Sequence, residues 1–473
     1  MTELPSGWVR ARLEEVGSGE NHALAIGPFG SSLKVADYRE TGVPLVFVRN
    51  IRSENFDLVP TFVTAEKARE LVAHRVVPGD VLITKMGDPP GDASIYPSGR
   101  LPAVLTADCI KVSTHRSVSA RYVRFAVESP ECARQIAEMT SGVAQQKVSL
   151  AKIRRLAIPV APGPEQKRIV AAIEEAFSKL DAGEDGLRVA RQRLKRMRDA
   201  VLADAVSGRL VPQDPNDTRA TKLISEMGAE PAPDAALDVL PAGWAATRLG
   251  TVASWSSGGT PKASVAKYYG GGIPWAVIGD LTEGPVFTTA ATLTQAGLDN
   301  SSAKVVRAGT VLLAMYGASI GRIGVAASEM ATNQAIACAV PKDPALSASY
   351  LFWVLKSQRR AFVAQGKGAA QPNISQTLLK AWPVALPPPE EQLRIVEEVE
   401  RQFSFIEACE RALDAGLARS AALRRSVLKA AFQGTLVPQD PADERASVLL
   451  ERIRSEREAG EPAPSRRRKA EAS

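Results

Sequence analysis

Two pairs of matching stretches reveal how this 473-residue chain is built. Residues 165–170 read Glu-Gln-Lys-Arg-Ile-Val, and residues 391–396 read Glu-Gln-Leu-Arg-Ile-Val. The same offset of 226 residues, without a gap, superimposes residues 208–215 (Gly-Arg-Leu-Val-Pro-Gln-Asp-Pro) on residues 434–441 (Gly-Thr-Leu-Val-Pro-Gln-Asp-Pro). An ungapped match of this length indicates that the chain is an internal duplication.

The segment between these motifs predicts one long helix in each copy. Pro164 and Glu165 are typical of a helix start, and Gly208 is typical of a helix end. Alternate steps of four and three residues from Ile173, and likewise from Val399, place apolar residues at seven of ten positions, which is the pattern of a coiled-coil seam. The predicted packing residues are Ile173, Phe177, Leu180, Leu187, Leu194 and Val201 in the first helix and Val399, Phe403, Ile406, Leu413, Leu417 and Val427 in the second.

We expect the two long helices to pack antiparallel against each other. A helix of about 40 residues extends roughly 60 Å and, with a single apolar stripe, needs a partner. A globular insert whose ends lie close together can leave the end of the first helix and return to the start of the second. In the predicted register Glu184 faces Arg424 and Glu410 faces Arg198, since charged seam residues usually set the register.

The remaining parts of each copy differ and read as mixed α/β domains. They are rich in Gly, Pro and short apolar runs such as residues 43–48 and 311–315, with short helices predicted over residues 120–138 and 347–364. The predicted class is α+β, with two α/β domains in a pseudo-two-fold arrangement separated by an antiparallel two-helix coiled coil. The predicted segments are a first variable domain (1–160), a central helix (161–208), a linker (209–239), a second variable domain (240–385), a distal helix (386–434) and a C-terminal segment and tail (435–473).

Composition and motifs argue against a catalytic function and against a membrane-spanning segment. No apolar run is long enough to span a bilayer and no secretory leader is recognised, so we expect a cytoplasmic protein with no membrane partner. The four Cys are scattered and only three His occur, so no zinc site or disulfide framework is expected. The loop at residues 317–322 lacks the Lys-Ser/Thr of a phosphate-binding loop. We therefore predict no catalytic residue, metal or cofactor in this chain.

The polar features favour binding, and the net charge of +7 permits a polyanionic partner. Flexible loops with hydroxyl groups and a terminal lysine suit phosphate contacts, and exposed amides can pair with adenine. The candidate DNA-binding residues in the first variable domain are Ser31, Ser32, Lys34, Arg49, Asn50, Lys85, Gln145, Gln146 and Lys147. Those in the second are Thr260, Lys262, Tyr268, Asp280, Tyr316, Asn333, Gln334, Lys367, Gln371 and Asn373.

Taken together, the motifs resemble those of one family along the whole chain. They are the Leu-Pro-x-Gly-Trp openings at residues 4–8 and 240–244, the Thr-Asn-Gln-Ala stretch at 332–335, the Pro-rich helix start at 387–396 and the two Leu-Val-Pro-Gln-Asp-Pro ends. The chain resembles the specificity subunit of type I restriction–modification systems.

That resemblance implies a non-catalytic subunit with two target recognition domains, each reading one half of a split, asymmetric double-stranded DNA site. It implies docking of two methyltransferase (modification) subunits, which supply S-adenosylmethionine-dependent adenine methylation. It also implies that restriction subunits, which use ATP and Mg, can join them. The first domain departs from the pattern, with Ala107-Asp108 assigned to the place of Asn333-Gln334 and Arg49-Asn50 to the place of Gly279-Asp280.

Two other interpretations of the sequence stay open. One is a self-contained DNA methyltransferase or nuclease with unrecognised motifs. The other is a scaffold that joins two ligand-binding heads and does not bind DNA.

Overall fold

The computed structural model describes residues 3–140, 146–232, 239–367 and 372–460. The chain folds into two compact units. Unit 1 comprises Met1–Leu187 and Ala415–Ser473, and unit 2 comprises Arg188–Asp414. Each unit therefore takes one variable domain together with one part of each long helix, whereas the sequence analysis had counted the helices as separate segments.

Unit 1 is a mixed α/β structure. Its strands are β1 (Val9–Arg12), β2 (Leu24–Ile26), β3 (Val43–Val46), β4 (Phe62–Val63), β5 (Arg75–Val76), β6 (Val81–Thr84), β7 (Met86–Gly87), β8 (Ala93–Ile95), β9 (Ala103–Leu105), β10 (Cys109–Val112), β11 (Gln146–Lys147) and β12 (Ala157–Val160). Its helices are α1 (Val48–Ser53), α2 (Ala65–Glu70), α3 (Ala120–Glu128), α4 (Pro130–Met139), α5 (Leu150–Arg154) and the first part of the long helix α6 (Gly163–Ala205).

Unit 2 has a similar order of elements. Its strands are β13 (Ala245–Arg248), β14 (Ala253–Ser257), β15 (Tyr269–Ala276), β16 (Pro285–Val286), β17 (Ala291–Leu293), β18 (Val305–Val306), β19 (Val311–Ala314), β20 (Ile323–Ala326), β21 (Met330–Thr332), β22 (Ile336–Pro341) and β23 (Pro383–Leu386). Its helices are α7 (Ala220–Glu226), α8 (Leu249–Val252), α9 (Gln295–Asp299), α10 (Ala348–Ser357), α11 (Arg359–Gln365), α12 (Gln376–Ala381) and the first part of α13 (Pro389–Phe432). The last helix, α14 (Ala446–Gly460), belongs to unit 1.

The two units share one sheet topology. Strands β2-β10-β6-β8 form one sheet of unit 1, and β14-β22-β19-β20 form its equivalent in unit 2, with β16 added at the edge. A second sheet has the order β4-β3-β9-β5 in unit 1 and β17-β15-β21-β18 in unit 2, and its central pair is parallel in both. The central strands β6 and β19 are fully buried, which explains their continuous apolar runs. The predicted α+β class is confirmed.

The two short helical regions each form two helices rather than one. Ser129 ends the first helix, and its side chain caps the next helix by accepting a hydrogen bond from the Cys132 N–H, while Pro130 occupies the first turn. Proline at the first turn begins a helix readily but cannot continue the preceding one. The prediction of short helices over 120–138 is confirmed with a break at Ser129, and the region 347–364 likewise divides into α10 and α11.

Within each unit the two long helices run antiparallel in the predicted register. In unit 1 the Glu184 carboxylate lies 3.3 Å from the Arg424 guanidinium, and Gly416 lies against Leu187. In unit 2 Arg198 lies 3.2 Å from Glu410. Of the predicted packing residues, Ile173, Val201, Val399, Phe403 and Ile406 are buried, and Phe177, Leu180, Leu187, Leu194, Leu413, Leu417 and Val427 are partly buried. The predicted pairings of Glu184 with Arg424 and of Glu410 with Arg198 are confirmed.

The segments predicted as a linker and as a C-terminal tail contribute to the two cores. In the 209–239 segment, α7 buries Ala220, Leu223 and Ile224 in unit 2. In the 435–473 segment, α14 buries Ala446, Leu449 and Ile453 in unit 1. Residues 220–226 of the predicted linker and residues 446–460 of the predicted C-terminal segment and tail thus pack in the two cores. The basic stretch Arg466–Lys469 lies outside the described residues.

Candidate nucleic-acid interface

The repeated motifs form the same joint between variable domain and long helix in each unit. In unit 1 the Trp8 indole N–H donates to the Glu165 carboxylate at 3.0 Å. The Ser119 backbone N–H donates to the Gln166 side-chain oxygen at 3.1 Å, and Arg168 pairs with Asp443 at 2.8 Å. The equivalent contacts in unit 2 are Trp244 to Glu391, Ser347 to Gln392, and Arg394 to Asp217. The conserved pattern within the repeat thus has a structural role.

Burial raises the pKa of both joint carboxyl groups, Glu165 and Glu391, above the ordinary glutamate value. Their partners differ in one respect. The Glu391 carboxylate also accepts a hydrogen bond from Gln213, whereas one oxygen of Glu165 has no hydrogen-bond partner among the described residues. The joint of unit 1 is therefore less completely satisfied than that of unit 2.

Four segments that are distant in sequence meet at one edge of unit 1. They are residues 27–34, 85–87, 106–108 and 146–147, which we name reading edge 1. The backbone N–H of Gly27 donates to the Cys109 carbonyl at 3.0 Å, and the N–H of Lys85 donates to the Asp108 carbonyl at 2.8 Å. Strand β11 pairs with β7, which brings Lys147 beside Met86. Three of these four segments carry predicted binding residues, and backbone pairing brings all four together.

The same four segments meet in unit 2. They are residues 258–262, 315–317, 333–335 and 372–374, which together with Lys367 we name reading edge 2. The backbone N–H of Met315 donates to the Ala335 carbonyl at 2.9 Å, as Lys85 does to Asp108 in unit 1. Tyr316 forms a backbone bridge with Asn373, and Lys367 forms another with the same residue. The two edges are therefore equivalent in backbone construction.

Two glycines allow the loops of these edges to cross closely. A Cβ atom added at Gly27 would overlap the Thr106 carbonyl oxygen, and one added at Gly258 would overlap the Thr332 carbonyl oxygen. Any larger residue would push the loop off the neighbouring strand connection. Glycine is therefore required at these two positions, because only a residue without a side chain lets the loop pack so closely against the neighbouring backbone.

Most of the predicted binding residues on the edges are accessible. The exposed side chains are Ser31, Ser32, Lys34 and Lys147 on reading edge 1 and Thr260, Lys262, Gln334, Lys367 and Asn373 on reading edge 2. Lys85, Gln146, Tyr316 and Asn333 are partly exposed. The Thr260 hydroxyl donates to the Gln334 side-chain oxygen, which links two segments of reading edge 2. The lysines and hydroxyl groups offer donors for phosphate oxygens.

Three other candidates, Asn50, Asp280 and Arg49, form hydrogen bonds with neighbouring parts of their own unit. Asn50 is buried, accepts from the Phe47 N–H at 2.9 Å and donates to the Asn55 and Leu58 carbonyls. Asp280 accepts from the backbone N–H groups of Val277 and Ala290. Their matching contacts confirm that Asn50 and Asp280 occupy equivalent places, and they indicate that both residues hold loops.

Arg49 is also held by its neighbours, since it lies over the Phe47 ring at 3.9 Å and donates to the Val59 carbonyl at 3.0 Å. Tyr268 is partly exposed at the end of a short 3-10 helix and lies outside reading edge 2. Gln145 and Gln371 lie outside the described residues.

Hydrogen bonding corrects one equivalence that the sequence analysis had assigned. The backbone N–H of Thr106 donates to Val46 as that of Asn333 donates to Ala276, so Thr106-Ala107, and not Ala107-Asp108, stands where Asn333-Gln334 does. The error was one residue, because a loop of changed sequence offers no repeated motif from which to count. Unit 1 therefore has Ala107 in the place of Gln334.

One exposed aromatic residue, Phe29 at the tip of the first loop of reading edge 1, is not among the predicted binding residues. The signal was present, since Phe29 lies between Pro28 and Gly30 in a stretch otherwise assigned to phosphate contact. Among the described residues, no group of three or more His, Cys, Asp or Glu is placed to hold a metal ion. Over the same part of the chain, no helix is both long and apolar enough to cross a membrane.

Comparison with known proteins identifies the family. Residues 241–414 match the type I restriction modification DNA specificity domain. Along 99% of its length the chain is 26% identical to the type I restriction enzyme EcoBI specificity subunit of Escherichia coli, of which it covers 96%. It is 24% identical to the EcoKI specificity subunit of Escherichia coli strain K12, with 99% of each chain covered. Along its whole length the chain is therefore similar to type I restriction–modification specificity subunits.

The fold of this specificity subunit also matches solved structures. One, from a study of complex assembly and conformational transition of the type I R-M system, aligns with a TM-score of 0.70 and 20% identity, covering 92% of this chain and 100% of the other. The HsdS subunit from Thermoanaerobacter tengcongensis aligns with a TM-score of 0.53 and 20% identity, covering 92% and 98%. As a specificity subunit, the chain serves DNA sequence recognition and is not itself the catalytic subunit, in agreement with the sequence analysis.

Proposed function

We propose that this specificity subunit recognises a bipartite, asymmetric site in double-stranded DNA, with one half-site read by each reading edge. The observation that supports the proposal is that one backbone arrangement of four segments is built twice and carries different side chains in the two units. Identical edges would suit a symmetric site, whereas unlike edges suit two unlike half-sites.

The chemistry of the edges suits a division between phosphate and base contacts. Lys34, Lys147, Lys262 and Lys367 are exposed cations that can neutralise phosphates, which makes affinity fall as salt rises. Gln334 is an exposed amide, and amides form bidentate contacts with adenine in the major groove. The lysines would supply most of the affinity for DNA. The amide of Gln334 would supply the preference for a particular base sequence.

We further propose that the two long helices set the gap between the half-sites and dock two modification subunits. The duplicated helix starts support a stoichiometry of two, because each copy offers the same motif. Exposed apolar side chains on the helices, including Leu393 and Phe405 in unit 2 and Leu423 in unit 1, offer contact area for a protein partner. S-adenosylmethionine would bind the modification subunits, and ATP and Mg would serve restriction subunits where these join.

Selection from random duplexes tests the proposal. The chain is purified with its modification subunits and selected on duplexes with a randomised region. We expect two short, unlike motifs separated by a constant gap, and binding that weakens steeply with salt. A single motif, a palindrome or binding without sequence preference would contradict the proposal.

Methyl transfer supplies the second measurement. The complex should methylate adenine in the selected site, and the isolated chain should show no transfer to the same duplex. Transfer by the isolated chain would instead favour a self-contained methyltransferase.

A further inference from the structure

The loop tip of reading edge 1 presents Phe29 to solvent. Its side chain is 69% exposed, although an aromatic ring of this size is usually covered. The loop around it is ordered by hydrogen bonds, since the Ser32 N–H donates to the Phe29 carbonyl at 2.8 Å and the Gly27 N–H donates to the Cys109 carbonyl at 3.0 Å. Pro28 is buried beside it. The ring is therefore held outward by a fixed backbone.

A cation lies beside this ring. The Lys85 ammonium is 5.9 Å from the ring centroid and 3.4 Å from the Ala107 carbonyl oxygen. The ring thus lies next to a group that would attract a DNA strand. An apolar surface and a positive charge are presented together at the end of strand β6.

The equivalent place in unit 2 is polar. Thr260 stands where Phe29 stands, because the strand pairing of Ile26 with Ile110 and of Ser257 with Ala337 makes Gly27 equivalent to Gly258. Its hydroxyl donates to Gln334, which stands in the place of Ala107. The hydroxyl–amide pair of reading edge 2 is thus replaced by a phenyl ring and a methyl group, so the two edges offer opposite chemistry to a base.

Base-edge chemistry identifies a partner for an apolar group. In the major groove thymine alone presents a methyl group, beside its O4 acceptor, whereas the other bases present only hydrogen-bond donors and acceptors. We propose that Phe29 contacts the C5-methyl group of a thymine in the half-site read by unit 1. This inference rests on the proposed function and names the base feature that reading edge 1 recognises.

Removing the methyl group from the DNA tests the contact directly. In the complex with modification subunits, each thymine of the selected half-sites is replaced in turn by deoxyuridine, which lacks only that methyl. We expect replacement at one thymine of the unit 1 half-site to weaken binding about three- to fivefold, the effect of exposing one buried methyl group. Phe29→Ala should weaken binding to the thymine duplex at least as much.

The decisive experiment combines the Phe29→Ala substitution with the replacement of thymine by deoxyuridine. The Phe29→Ala complex should bind the thymine and deoxyuridine duplexes equally, because the partner of the methyl group is gone. Phe29→Leu should keep part of the discrimination. Phe287→Ala, at an exposed phenylalanine of unit 2 outside reading edge 2, is the matched control, and it should discriminate at the unit 1 half-site as strongly as the unaltered complex.

Three results would overturn the inference. They are a unit 1 half-site without thymine, undiminished discrimination by Phe29→Ala, or a ring that inserts between base pairs. Insertion would appear as increased fluorescence of 2-aminopurine in the half-site, lost in Phe29→Ala, with no effect of deoxyuridine. Failure of the proposed function is distinguishable, because selection would then yield no split site at all.

Discussion

In reading edge 1, Lys85 stands at the end of strand β6 and Phe29 at the tip of the neighbouring loop, whereas in reading edge 2 the same places hold Met315 and Thr260. The backbone hydrogen bonds at the strand end are the same in both units, since the N–H of Lys85 donates to Asp108 as that of Met315 donates to Ala335. The neighbouring loops are bonded differently, because Gly27 donates to Cys109 whereas Gly259 donates to Thr332. Buried strands and close glycine crossings determine the backbone, and exposed side chains contribute little to it. The difference teaches that one scaffold can carry two specificities because its recognition surface is separate from its core.

The joints between domain and helix differ far less than the edges, and they should show the largest effects. Trp8→Ala should lower the free energy of opening of unit 1 by about 3–5 kcal/mol, because it removes a buried indole and its hydrogen bond to Glu165. Trp244→Ala should do the same in unit 2. Hydrogen–deuterium exchange with mass spectrometry measures each unit within the full chain.

Each tryptophan variant is the control for the other. If either substitution opened both units equally, the division into two compact units would not describe their stability.

A second pair of equivalent positions differs in charge. Ser119 and Ser347 cap equivalent helices, so Glu128 in unit 1 stands where Lys356 stands in unit 2. Burial raises the pKa of Glu128 to about 7 and lowers the pKa of Lys356. The position disfavours a charge of either sign.

The pH dependence of unit 1 follows from this shift. Because the Glu128 pKa is higher in the folded state, the cost of ionisation appears as pH rises from about 4.5 to about 7 and is complete above that. We expect Glu128→Gln to stabilise unit 1 at pH 8 by up to about 3 kcal/mol and to have no effect at pH 4. Urea unfolding at several pH values across this range, monitored by limited proteolysis of unit 1, measures the change in the free energy of unfolding.

Glu138→Gln, at an exposed glutamate on the neighbouring helix α4, provides the matched control and should leave the pH profile unchanged. Equal stabilisation by Glu128→Gln at pH 4 and pH 8 would show that the cause is not ionisation.

Substitutions on reading edge 2 should distinguish a residue that contacts a base from a residue that contacts a phosphate. Gln334→Leu should relax sequence preference at one base pair of the unit 2 half-site by about 1–3 kcal/mol, because the amide contact is lost. The unit 1 half-site should be read as before. Binding to a panel of duplexes with single base-pair changes measures both effects.

Lys367→Ala is the comparison for this variant. It should weaken binding to all sequences alike and reduce the salt slope by about 1, as expected of a phosphate contact. A loss of preference at one base pair in Lys367→Ala, or none in Gln334→Leu, would reverse these roles.

The charged seam pairs should show the smallest effects. Glu184→Arg should destabilise unit 1 by about 1 kcal/mol, and adding Arg424→Glu should restore most of the loss. The equivalent exchange of Arg198 and Glu410 should show weaker coupling, because these side chains are 33% and 35% exposed against 18% and 26% for Glu184 and Arg424. Double-mutant cycles of local exchange stability measure both couplings, and equal values would contradict the dependence on burial.

Sequence reasoning went furthest where the information is local and periodic. The long helices follow from a seven-residue pattern that can be counted along one segment, and its charged positions predict the pairing of Glu184 with Arg424 once the helices are taken as antiparallel. The repeated motifs identified the duplication for the same reason. Both properties depend on neighbours a few residues apart, and one repeated period determines them.

Tertiary structure decided how distant segments meet. Reading edge 1 brings Gly27, Lys85, Thr106 and Gln146 together through strand pairing across more than a hundred residues, which no local pattern specifies. The inward bonds of Asn50, the core role of α7 and the one-residue shift at Thr106 have the same origin. Each depends on which backbone groups pair across the fold, and that depends on the packing of the whole unit.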